Sequence, residues 1–149
     1  MVAIARPSYE AVALPYRKPP AESDPHGTDP HASGAKMDAG KQLAGVLLDF
    51  SRALGAVADV GTFGANKYCR GGWQSVPNAE ERYLDAFMRH LLKMQRQPID
   101  PDSNLDHLAH IAWNCLAVLE LKARREEGQR EDKEQVERVQ RVLRGEGRV

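Results

Sequence analysis

The sequence predicts an all-α protein, a small helical bundle, on three observations. Apolar residues recur at spacings of three and four in three separate stretches, as on one face of a 3.6-residue helix. No stretch shows the sustained apolar–polar alternation of a half-buried strand. The two ends lack the helical apolar pattern: the start is rich in proline and the finish in charge. Together these divide the chain into an extended or disordered N-terminal arm (1–37), a helical domain (38–121) and a charged C-terminal helix or tail (122–149).

The arm is assigned on Pro7, Pro15, Pro19, Pro20, Pro25 and Pro30, which fall among Asp, Ser, Gly and His. Such a segment cannot sustain a helix or a sheet ladder. His26 and His31 lie here, in DPHGTDPH, and without a rigid scaffold read as part of a solvated linker.

The first helix is expected from Gly40, with Leu43, Val46, Leu47, Phe50, Leu54, Val57 and Val60 on one face, and Gly61 and Gly64 ending or bending it. A long loop, TFGANKYCRGGWQSVPN, follows. The second helix is expected to open with a capping box, Asn78 and Glu81, and to bury Tyr83, Leu84, Phe87, Met88, Leu91 and Met94 before Pro98. Ser103 is the expected cap of the third helix, whose apolar face is Leu105, Leu108, Ile111, Ala112, Cys115, Leu116 and Leu119. Beyond Leu121 the charges interleave around Val136, Val139 and Leu143, the pattern of an exposed helix, a subunit seam or a solvated tail.

Composition excludes several function classes. The 149 residues carry 21 Lys+Arg and 21 Asp+Glu, so a protein that grips a nucleic-acid polymer by bulk charge is not expected. Apolar residues make up 42 %, which suits a folded chain, and no apolar run approaches the ~18 residues needed to span a bilayer. Two cysteines, Cys69 and Cys115, provide neither a disulfide framework nor a four-thiolate zinc site. The prolines of the first twenty residues interrupt any signal-peptide core, so the expected compartment is a reducing cytoplasm.

Chemistry concentrates on the second and third helices. His107, His110 and Asn114 stand at i, i+3 and i+7, one stripe beside the apolar face. Two imidazoles one turn apart can share a metal ion or reach one phosphate. Asp85 sits between Arg82 and Arg89 at ion-pair spacings, and His90 borders the apolar stripe near Tyr83. Paired neighbouring helices would bring Asp85 and His90 toward His107 and His110, a carboxylate–imidazole set able to hold divalent ions. Lys36, Lys41, Lys67 and Arg70 lie in glycine-containing segments where backbone can approach a ligand, although no Walker A loop is present. Tyr68 and Trp73 can stack on a base, and Asn114 or Asn66 can read its edge. Trp73 equally suits packing of the loop onto the helices.

The runs GAKMDAGK, DVGTFGANKYCRGGW, RYLDAFMRHLL and IDPDSNLDHLAHIAWNCLAVLEL, over residues 34–121, resemble the phage and bacterial dATP/dGTP diphosphohydrolases, MazZ-like members of the MazG-type all-α nucleotide pyrophosphohydrolase superfamily. The resemblance implies a MazG-like bundle that hydrolyses a purine deoxynucleoside triphosphate, dGTP foremost or dATP, to the monophosphate and pyrophosphate. It implies a divalent cofactor, Mg or Mn, a homo-oligomer (dimer or tetramer), and the host cytoplasm for a phage-encoded chain. It places the HxxH element on His107 and His110, the RH pair on Arg89 and His90, and the KY pair on Lys67 and Tyr68. Asp85, Asp100, Asp102 and Asp106 become the carboxylate candidates for metal. Many superfamily members use ExxE and ExxD where this chain has Arg82-xx-Asp85 and His107-xx-His110. Imidazoles in place of carboxylates tilt a site from magnesium toward manganese. The alternatives are a non-catalytic nucleotide-binding or regulatory relative and a helical interaction module.

Overall fold

The computed structural model describes residues 22–144. The sequence-based readings for residues 1–21, including the interrupted signal-peptide core, and for 145–149 lie outside the described residues. The chain divides into two compact units, one ending at Leu47 and the other beginning at Leu48.

In the first unit, the described residues from Glu22 to Leu43 contain turns and no helix or strand. Asp24 organises them: one carboxylate oxygen accepts the His26 N–H at 2.7 Å, the other the Lys36 N–H at 2.8 Å. Ala39 N–H donates to Ser23 O at 3.0 Å and closes the loop. Asp29 repeats the local turn by accepting from His31 N–H at 2.8 Å, so each Asp-Pro-His tripeptide is an Asx turn. Lys36 pairs with Asp38 at 2.9 Å.

The chain passes between units in a 3-10 helix, Ala44–Phe50. The second unit contains α1 (Ser51–Lys67), a 3-10 turn (Gly72–Ser75), α2 (Ala79–Met94), a hairpin of β1 (Ile99–Asp100) and β2 (Leu105–Asp106), and α3 (His107–Leu143). The all-α class holds, with one two-residue hairpin added. Both α1 and α2 pack on α3.

Three local expectations are corrected. The α-helix begins at Ser51 rather than Gly40, and only Val57 and Val60 of the expected apolar face are buried. Gly61 and Gly64 do not end α1, which continues to Lys67. Gly61 serves close approach: a Cβ there would collide with the Trp113 ring of α3. The Asn78 side chain makes no cap, because this residue takes φ 53° in the turn before α2, a left-handed conformation that Asn tolerates.

The start of α3 is also reassigned. Asp106, not Ser103, is the cap, its carboxylate accepting the Leu108 N–H at 2.8 Å. The buried face of α3 is His107, Ala109, His110, Asn114, Ala117 and Val118, whereas Leu108, Cys115, Leu116 and Leu119 are exposed. The histidine stripe therefore faces the core. On α2, Leu84, Met88 and Leu92 are exposed too. Past Leu121 the helix continues without a break, and every residue from Glu127 to Arg144 is exposed.

Candidate metal centre and nucleotide cleft

The hairpin between α2 and α3 builds the centre. Asp100 pairs with Leu105 across the two strands, and Asn104, at φ 57°, donates its N–H to Asp100 O at 2.8 Å. That turn buries Asp100 to 6 % exposure against His107, the first residue of α3. His107 is 1 % exposed, its N–H bonded to Pro98 O at 2.9 Å. From α2, His90 completes the group.

His90 Nδ1 and His107 Nδ1 face one another at 2.8 Å. Asp100 Oδ2 lies 3.5 Å from the first and 3.7 Å from the second. Ligands bound at ~2.1 Å sit about 3.0 Å apart on an octahedron and about 3.4 Å apart on a tetrahedron. The three atoms thus already have the spacing of one coordination edge set. Among the described residues, this is the group of His, Cys, Asp and Glu side chains able to hold an ion. Asp100 Oδ1 accepts the Asp102 N–H at 2.8 Å, which leaves Oδ2 for the imidazoles.

Electrostatics sets the required protonation states. Burial lowers the His90 pKa to about 4, aided by His110 and His107 and opposed by Asp100. Burial likewise lowers His110. Burial alone would raise Asp100, but the Asp102 N–H and the three imidazoles hold it below the usual carboxylate value. Near neutral pH, His90 and His110 are uncharged and Asp100 is ionised, as ligation requires. Two imidazoles and one carboxylate fit a borderline divalent ion such as Mn better than Mg, which favours all-oxygen surroundings.

His110 stacks on His90, with ring centroids 4.3 Å apart and planes inclined by 7°. Its Nε2 lies 2.8 Å from Ser103 Oγ, and Oγ accepts the Leu105 N–H at 3.3 Å, so the hydroxyl proton is free to donate to Nε2. Asn114 donates to the His110 carbonyl at 2.8 Å.

A second feature is a cleft of about 1490 Å³, lined among others by Tyr68, Arg70, Trp73, Arg82, Asp85 and Arg89. It is larger than the ~300–1,000 Å³ typical of small-ligand pockets and roomy enough for a nucleoside triphosphate. Arg82, Asp85 and Arg89 reach it from α2, while His90 turns toward α3. The His90–Asp100–His107 group does not line this cleft.

The structure thus sorts the sequence candidates. His90, Asp100 and His107 come together. His110 joins them through stacking and Ser103, and Asn114 supports the His110 backbone. Asp102 is exposed and paired with Lys67 at 2.8 Å, a pairing that raises the Lys67 pKa, and Asp106 is turned outward as a cap. Asp85 belongs with Arg82, Arg89, Tyr68 and Trp73 in the cleft. Lys36 and Lys41 belong to the first unit. Sequence reasoning missed Ser103, taken for a cap, and Trp113, which stands edge-on to Trp73 at 6.4 Å and 75°. Nothing local in the sequence signals Trp113.

Among the described residues no helix is long and apolar enough to cross a membrane. No curated protein and no solved structure matches the chain. The family model described as dATP/dGTP diphosphohydrolase, N-terminal, matches residues 31–132, which include every residue of the metal centre and of the cleft lining. Its name makes a hydrolase of nucleoside triphosphates the general activity class. The chain belongs to the dATP/dGTP diphosphohydrolase N-terminal family.

Proposed function

We propose that the protein is a metal-dependent pyrophosphohydrolase that converts a purine deoxynucleoside triphosphate, dGTP before dATP, to the monophosphate and pyrophosphate. The observation that carries this reading is the His90–Asp100–His107 group, whose three candidate ligand atoms lie within 4.8 Å of one another. His90, Asp100 and His107 would hold such an ion, Mn or Mg, and it would supply positive charge and an acidified water to a triphosphate that extends beyond the cleft to them.

The chain's own residues supply the rest. Arg82, Arg89 and Arg70 offer guanidinium forks to the phosphate oxygens, and Lys67 becomes available to phosphate when it leaves Asp102. Asp85, which lines the cleft with Arg82 and Arg89, accepts a proton from the attacking water as the water oxygen bonds to the α-phosphorus. The bond from that phosphorus to the bridging oxygen breaks, and pyrophosphate leaves with the pair. Tyr68 and Trp73 offer stacking faces. Ser103 and Asn114 hold His110, and His110 holds His90 by stacking.

The catalytic domain spans residues 38–121, and the charged remainder of α3 extends from it. A second copy of the chain is the natural cover for Leu84, Met88 and Leu92 of α2 and Leu108 and Leu119 of α3, large side chains left exposed by the single chain. The working form is then a dimer or tetramer in the cytoplasm, the host's if the chain is phage-encoded.

Incubation with each deoxynucleoside triphosphate and Mn or Mg, followed by product separation, tests this reading. It predicts monophosphate and pyrophosphate from a purine substrate. Orthophosphate as the product contradicts it. Nucleotide-dependent stabilisation without turnover would favour a non-catalytic relative, and neither would favour an interaction module.

A further inference from the structure

A small pocket of about 250 Å³ opens beside the cleft, lined by Trp73, Trp113, Leu116, Ala117 and Glu120. It falls below the ~300–1,000 Å³ range of whole-ligand pockets, the size of a subsite. Trp73 and Trp113 line both spaces, so a single ligand can place one end in each. The two indoles form a T-shaped corner with half-buried faces. Arg124 crosses the Trp73 ring at 5.7 Å and closes one side. Its Nε binds Glu120 Oε1 at 2.7 Å and its Nη1 binds Gln74 Oε1 at 2.5 Å.

Aromatic walls and an apolar floor of Leu116 and Ala117 suit a planar base. The polar group on the wall decides which base. Glu120 is half-exposed, and its carboxylate already accepts a hydrogen bond from the Arg124 guanidinium, so it faces the pocket as an acceptor. Guanine presents two adjacent donors, N1–H and the 2-amino group, which match a carboxylate in bidentate fashion. Adenine presents a lone pair at N1 and no 2-amino group, so the carboxylate repels that edge.

We infer that the Trp73–Trp113 corner is the nucleobase subsite and that Glu120 selects guanine over adenine by accepting from N1–H and the 2-amino group. This rests on the nucleotide reading of the cleft and names the base specificity of that site. Arg124 orients the carboxylate and holds Trp73 in place. The phosphates of the same ligand then run past Trp73 and Trp113 toward Arg82 and Arg89.

The test compares dGTP, dITP and dATP on the full chain and on Glu120→Gln, with binding read by indole fluorescence and turnover by product separation. dITP keeps N1–H and lacks the 2-amino group. The wild type should prefer dGTP over dATP by ~100-fold or more, with dITP between. Glu120→Gln should lower kcat/KM for dGTP by ~10- to 100-fold and raise it for dATP. Glu120→Asp, which keeps the carboxylate, should retain part of the preference. An unchanged dGTP/dATP ratio in a folded Glu120→Gln variant overturns the inference. Guanine-selective binding that Glu120→Gln abolishes, without turnover by the wild type, would uphold the subsite and overturn the hydrolase reading. Absence of binding to any of the three overturns both.

Discussion

Ser103 Oγ stands 2.8 Å from His110 Nε2, joining the turn after Asp100 to the core stripe of α3. The link explains why a residue that looks like a helix cap does not cap. Asp106 takes that role, and Ser103 instead fixes the imidazole that stacks on His90.

Removing that hydroxyl should matter twice. Ser103→Ala leaves His110 Nε2 without its partner, and a denaturant titration should show a loss of about 0.5–1.5 kcal/mol. Turnover should fall with it, because the His110–His90 stack is less constrained. Unchanged stability and rate would mean that water replaces the hydroxyl fully.

Metal affinity should track the three-residue group. Calorimetric titration with Mn should show binding to the wild type and at least ~10-fold weaker binding to Asp100→Asn and His90→Gln. Asp106→Asn, altered only at the cap, should bind Mn as the wild type does. Equal weakening in all three variants would point to a general folding defect.

Acid should destabilise the metal-free protein in a defined window. His90 has a folded pKa of about 4 against an ordinary value of 6.5, so the unfolded chain binds the proton more readily. This contribution is fully present above about pH 6.5 and is lost as pH falls toward about 4. His110, lowered in the same direction, adds to it, and so does Asp100 below its ordinary value of 3.8. Thermal melts across pH 4–7 should show the decline, and His90→Gln should flatten it.

Gly61→Ala should cost about 1–3 kcal/mol, since the new methyl would overlap the Trp113 ring and force α1 away from α3. Gly64→Ala, where a Cβ meets nothing, should be neutral or slightly stabilising in a thermal melt.

What the sequence disclosed follows from the range of the forces involved. Helical periodicity and the HxxH spacing are local, so the all-α class and the pairing of His107 with His110 on one stripe were legible. Which face of α3 is buried was not. Leu108, Leu116 and Leu119 are more apolar than the histidines, yet α1, α2 and the hairpin cover the His107–His110–Asn114 side. Periodicity locates a stripe and leaves its partner undefined. Asp100 was one of several acidic residues in a turn, singled out only by Asn104 taking a left-handed conformation and by the pairing with Leu105. Trp113 was invisible because its meaning depends on Gly61, far away in the chain. The separation of Asp85 from the histidine group is likewise a matter of how α2 is rotated against α3.

The most direct measurement is separation of the products formed from dGTP with Mn present, by the wild type and by Asp100→Asn. Metal-dependent hydrolysis at this site predicts dGMP and pyrophosphate from the wild type, and a loss of at least ~10-fold in the variant at limiting Mn. Orthophosphate in place of pyrophosphate, or an Asp100→Asn enzyme as active as the wild type at every Mn concentration, would contradict it.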